Sequence, residues 1–118
     1  MLQKFPILMA YIHLNNISEI PQKGKVAVLV LVEDRAPCKK FMNETNGAIG
    51  ELLEVTKAPT GGTYCILPWN DETRNNLTLR AMPTVIIYVD GKETKRFDGH
   101  WYSRFQIADL ISEGFNTK

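Results

Sequence analysis

The stretch VAVLVLV at positions 26–32 constrains this chain more than any other, because seven aliphatic residues in a row leave no polar face to turn toward water. A strand wetted on one side alternates apolar with polar residues, whereas a strand covered on both sides need not. The run has strand length and many β-branched residues, so it predicts the central strand of a sheet layered between helices. Gln22-Lys23-Gly24, just before it, reads as a turn.

The neighbouring segments fit around that strand. Residues 7–14 are mostly apolar and predict a first strand, followed by Asn15 and Asn16, which suit the cap of a short helix stopped near Pro21. Beyond the central strand, Pro37 suits the first turn of a helix. Phe41, Ala48, Ile49, Leu52, Leu53 and Val55 give that helix a loosely periodic apolar side, weakened and bent by Gly47 and Gly50. Ala58-Pro59-Thr60-Gly61-Gly62 is loop chemistry and residues 63–67 predict a strand, so strand, helix and strand form a parallel crossover unit. Residues 70–79 read as a polar helix and 85–89 as another buried strand, joined to 93–97 by a two-residue hairpin turn at Asp90-Gly91. Ser103 with Gln106 makes a capping-box pattern ahead of Phe105, Ile107, Leu110 and Ile111, and Gly114 stands where a helix C-cap is expected. The expectation is an α/β fold in one domain, 1–118: a mixed central sheet, mostly parallel with an antiparallel C-terminal hairpin, flanked by helices on both faces.

Composition narrows the functions. A chain of 118 residues buries a core without covalent staples. Its 14 basic and 13 acidic residues leave a net charge of +1, with no Lys/Arg-rich block, so nucleic acid is not an expected direct partner. The apolar run at 7–12 lacks a cleavage site and is too short to span a bilayer, which argues for a cytoplasmic protein with no membrane partner. Cys38 and Cys65 are the only cysteines, and neither has His or Cys partners at metal-ligand spacing. No disulfide scaffold, metal or other cofactor is expected.

Three local motifs now point one way. AMPTVIIYVDGKETKRFDG at 81–99 is similar to the thioredoxin family's block of Met/Ile-Pro-Thr, apolar strand, turn glycine, charged strand and glycine. YIHLNNISEI at 11–20 resembles that family's first strand and short helix, and the 68–83 segment matches in length, with Arg80 just before the proline loop. The chain therefore resembles thioredoxin over nearly its whole length, differing by extra residues around 57–63, a loop where insertions are tolerated. The resemblance implies a thioredoxin fold with a cis bond between Met82 and Pro83.

Against the family motif Trp-Cys-Gly-Pro-Cys-Lys, this sequence reads Asp34-Arg35-Ala36-Pro37-Cys38-Lys39. By this resemblance Arg35 occupies the attacking cysteine's place, Cys38 falls on the resolving position, and Leu29 falls on that of the buried acidic residue that helps move the proton. Dithiol exchange needs one exposed thiolate to attack and a second thiol to release the mixed disulfide. Two readings of function follow. In the first, the protein is redox-impaired and binds a peptide or protein through Asp34, Arg35, Met82, Pro83, Thr84, Gly99, His100 and Trp101, an extended partner pairing with backbone groups at Met82. In the second, Cys38 is a catalytic monothiol, favoured as thiolate by a helix N-terminus and a nearby cation, with an external thiol resolving its mixed disulfides. Cys38 is equally readable as a packing residue, and Cys65 as a small core hydrophobe inside a strand. Trp101 either anchors a partner or packs on the last helix, and Trp69 either fills the space of the missing active-site tryptophan or is exposed.

Overall fold

A computed structural model describes residues 11–53, 62–98 and 102–117, with only the backbone for 51–53. Five strands form one sheet in the order β1-β3-β2-β4-β5: β1 Ile12–His13, β2 Lys25–Leu31, β3 Thr63–Pro68, β4 Thr84–Val89 and β5 Lys92–Asp98. β1 and β2 both run parallel to β3, β4 is antiparallel to β2, and β5 is antiparallel to β4, so β4 alone among them is reversed. The aliphatic run is the middle strand, with every residue from Val26 to Leu31 buried. Because side chains alternate across a strand, it feeds two cores. Ala27, Leu29 and Leu31 join Tyr64, Ile66, Val85 and Ile87 in one cluster, while Val26, Val28 and Val30 join Cys65, Leu67 and Ile86 in another.

Helices α1, Ala36–Gly47, and α3, Arg104–Asn116, supply Phe41, Ile107, Ile111 and Phe115 to the first cluster. The second is covered by a 3-10 helix, Ile17–Glu19, and by the end of α2, Asp71–Asn76, through Ile17, Leu77 and Leu79. Asn16 caps the 3-10 helix, its side-chain oxygen accepting from the Ser18 N–H at 3.1 Å. The Asp90-Gly91 turn has φ of 51° and 84°, the left-handed pair that a two-residue hairpin demands. At the far side of the same turn Gly24 N–H donates to Asp90 Oδ1 at 2.8 Å, and Asp90 N–H donates to the Gly24 carbonyl at 2.9 Å.

Four expectations need adjustment. Immediately after Gly47 the chain widens into a π-helical turn, Ala48–Leu53, so the bend foreseen there is a change of helical pitch. α2 is shorter than 70–79: Asn70 caps it in a reciprocal box with Thr73, and Thr78, at φ 55°, ends it so that Leu77 and Leu79 turn into the second core. Phe105 is 64% exposed, since it lies about 200° around the helix from Ile107, which is on the buried stripe. Gly114 is not a C-cap. α3 continues to Asn116, and Gly114 is buried against Ile87, whose Cδ1 lies 2.7 Å from where a β-carbon would sit. The missing side chain lets α3 approach β4. The Ser103–Gln106 box does start α3, with Gln106 N–H donating to Ser103 Oγ at 3.3 Å and Ser103 N–H to Gln106 Oε1 at 2.9 Å.

Candidate functional site

Strand register brings the sequence-predicted loops to one end of the sheet. Leu31 is paired with Pro68, Val30 with Thr84, and Thr84 with Asp98. The connections leaving β2, β3 and β5 and the one entering β4 therefore emerge side by side, at the carboxyl ends of the parallel strands, where open α/β sheets offer their crevice. Trp69 N–H ties the β3 exit to β2 by donating to the Leu31 carbonyl at 3.1 Å.

Asp34 and Arg35 form the tight entry to α1. Arg35 N–H donates to the Val32 carbonyl at 3.1 Å, and Arg35 is the N-cap residue in extended geometry, its side chain making no capping bond. Both residues are exposed. Cys38 lies one turn in and is 1% exposed, within the cluster that holds Leu29, Leu31 and Phe41. Leu29 is fully buried there, and no carboxylate is among the buried residues of that cluster. Met82 is half-buried against the same cluster, so α1's first turn and the proline loop share an apolar floor.

Pro83 and Thr84 are buried, the Met82–Pro83 bond is cis, and Thr84 Oγ1 donates to the Ala81 carbonyl at 2.5 Å. Among the described residues, neither the N–H nor the C=O of Met82 is engaged in a hydrogen bond. Gly99, His100 and Trp101 lie outside the described residues. Tyr102, next along the chain, packs edge-to-face on Phe97, with ring centroids 5.8 Å apart.

The two cysteines cannot meet. Cys38 is in the first cluster and Cys65 in the second, with the sheet between them, and both are free thiols. Burial raises the Cys65 thiol pKa, which keeps it protonated and unreactive. Trp69 is half-buried on the second cluster, so it does not cover Cys38. On Cys38's own face, burial pushes the Tyr64 phenol up to about 12. Tyr11 is raised by burial and secondarily by Tyr64, and its hydroxyl donates to Asn46 Oδ1 at 2.7 Å.

Sequence reading missed two features. His13, leaving β1, sits 3.4 Å from Glu33; twenty residues separate them, and only the strand order makes them neighbours. An open cleft of about 290 Å³ between α1 and α3 is lined by Lys40, Glu44, Tyr102, Ser103 and Gln106, and among the described residues none of the predicted site residues lines it. Among the described residues, no helix is long and apolar enough to cross a membrane, and no group of His, Cys, Asp and Glu is placed to hold a metal ion.

No family model matches the sequence, and no curated protein matches it. Solved structures do. Oxidised thioredoxin from Plasmodium falciparum superposes with a TM-score of 0.66 at 19% identity, covering 88% of this chain and 97% of that one. Thioredoxin f2 from Chlamydomonas reinhardtii gives 0.65 at 17% identity, covering 92% and 100%. A mutant thioredoxin from Halobacterium salinarum gives 0.63 at 14% identity, covering 93% and 98%. At such identities the likeness lies in the path of the backbone, and the chain has the thioredoxin fold.

Proposed function

We propose that this is a redox-impaired thioredoxin-like protein that binds an extended peptide or protein segment through Asp34, Arg35, Met82, Pro83, Thr84, Gly99, His100 and Trp101. The observation that carries the reading is the state of the α1 entry: Arg35 stands exposed at the N-cap, where a nucleophile would need to be, and Cys38 one turn below it is sealed at 1% exposure. An attacking thiolate must reach a disulfide sulfur from solvent, and no cysteine is placed to do so. Binding makes no such demand. The unbonded backbone groups of Met82 beside an apolar floor suit strand addition, in which main-chain hydrogen bonds supply affinity and side-chain pockets supply choice.

Two measurements test this. Iodoacetamide at neutral pH is expected to leave Cys38 unmodified in the native protein and to modify it in denaturant, and insulin disulfides should not be reduced. Rapid native alkylation together with insulin turnover would instead establish the monothiol reading, in which the Cys38 thiolate displaces one sulfur of a disulfide and an external thiol then displaces Cys38. For binding, peptides selected from a phage-displayed random library on the native protein should shift the amide resonances of Asp34, Arg35, Met82 and Thr84. Failure to select any peptide that shifts these amides sinks the binding reading.

A further inference from the structure

The connection from α2 to β4, residues 77–83, presents Met82, and it is tied at both ends. At its exit, the Thr84 hydroxyl holds the Ala81 carbonyl. At its start the tie comes from another strand altogether. Arg96, opposite Ile86 on β5 and one-third exposed, donates through Nη1 to the carbonyls of Leu77 at 2.6 Å and Thr78 at 3.2 Å. Its other edge is held by Glu93: Nε donates to Oε2 at 2.8 Å and Nη2 to Oε1 at 2.9 Å.

Chemistry makes this more than a surface ion pair. The last carbonyls of a helix lack partners within it, and Thr78, at φ 55°, is in the left-handed region that non-glycine residues seldom adopt. A planar guanidinium gripped on two nitrogens by one carboxylate has little freedom left, so its third nitrogen is aimed. The Leu79 N–H adds a neighbouring tie by donating to the Arg74 carbonyl at 2.9 Å.

We infer that Arg96, oriented by Glu93, is a positioning residue: it holds the end of α2 against β5 and thereby sets where the Met82 backbone groups stand for an incoming extended peptide. This rests on the binding reading above, yet the clamp has its own readout.

Amide hydrogen exchange separates local from global effects. In Arg96→Met, the Leu77 and Leu79 amides, bonded to the Thr73 and Arg74 carbonyls, should exchange about tenfold faster, while Val28 and Ile86 in the central strands stay within about twofold of wild type. Glu93→Gln, which weakens the grip without removing the guanidinium, should give a smaller change at the same two amides. A library-selected peptide that shifts Met82 in the wild type should bind Arg96→Met about fivefold or more weakly and Arg96→Lys in between. Equal acceleration at all four amides reduces Arg96 to general stability and overturns the clamp. No acceleration at Leu77 and Leu79 overturns it too, as does unchanged peptide affinity in Arg96→Met. If no peptide engages the wild-type loops, the binding reading falls and the exchange result alone decides the clamp.

Discussion

The two faces of the sheet are covered unequally. On one, the 12-residue α1 and the 13-residue α3 lie over Leu29, Tyr64 and Ile87. On the other, a three-residue 3-10 helix and the tail of the six-residue α2 cover Val28, Cys65 and Ile86. Each face holds one cysteine. Cys65 is inside a strand and serves as a small apolar residue; Cys38 is on the helix whose first turn belongs to the proposed site, and differs from it by position, not by exposure. The difference teaches that proximity to a site does not make a thiol available: the apolar floor that could receive a partner is the same packing that shuts Cys38 away.

The sharpest way to break this contrast is to make the first face polar. Leu29→Asp places a carboxyl group in a fully buried apolar position and should cost about 3–5 kcal/mol in urea unfolding. A loss below about 1 kcal/mol would mean that water already reaches Leu29 and that Cys38's surroundings are not dry.

Alkaline pH probes the same face more gently. Tyr64 titrates near 12 in the fold against 10.0 ordinarily, so the neutral phenol is the form the fold favours. Its stabilisation is whole below pH 10, is lost as pH rises through about 12, and amounts to about 2–3 kcal/mol. Tyr64→Phe should remove that part of the alkaline decline, leaving the share due to Tyr11, Tyr88 and Cys65, which burial also raises. Identical pH profiles for the two proteins would place Tyr64 in water.

Helix contact offers a third test. Gly114→Ala drives a β-carbon against Ile87, including its Cβ at 3.1 Å, and should cost about 1–3 kcal/mol. Gly47→Ala meets first the Arg104 guanidinium at 2.6 Å, the far end of a long side chain held by Glu44 at 3.3 Å, and should cost less than Gly114→Ala, about 1 kcal/mol. Thermal melts of the two variants rank the packing of α3 on the sheet above that of α3 on α1; the reverse order would refute it.

The smallest change in stability is expected from Arg35→Cys. Residues three apart at a helix start lie on one face, within the α-carbon separation of about 4.4–6.8 Å that a disulfide spans, so a small rotation of the side chains should let a disulfide with Cys38 form under mild oxidant, leaving Cys65 as the single thiol that titrates in denaturant. Reduction of insulin should be regained only in part, because Leu29 offers no proton acceptor and Asp34 places a negative charge beside the new thiolate. Three free thiols after oxidation would mean that α1 does not begin as its capping geometry indicates.

Features written in consecutive residues were legible from the sequence. The central strand followed from an unbroken aliphatic run, the β4–β5 turn from Asp90-Gly91, and the start of α3 from Ser103 and Gln106. Each depends on backbone geometry and hydrogen bonds spanning a few residues, so local chemistry suffices. Tertiary structure decided the rest. Gly114 reads as a helix end until Ile87 presses on it, and the α2 end reads as a longer helix until Leu77 and Leu79 are drawn into the core. Arg96 is one more charged residue on an edge strand until two carbonyls from a distant helix end meet it. The separation of Cys38 from Cys65 likewise needs the strand order, because which face a side chain takes depends on partners that the sequence places tens of residues away.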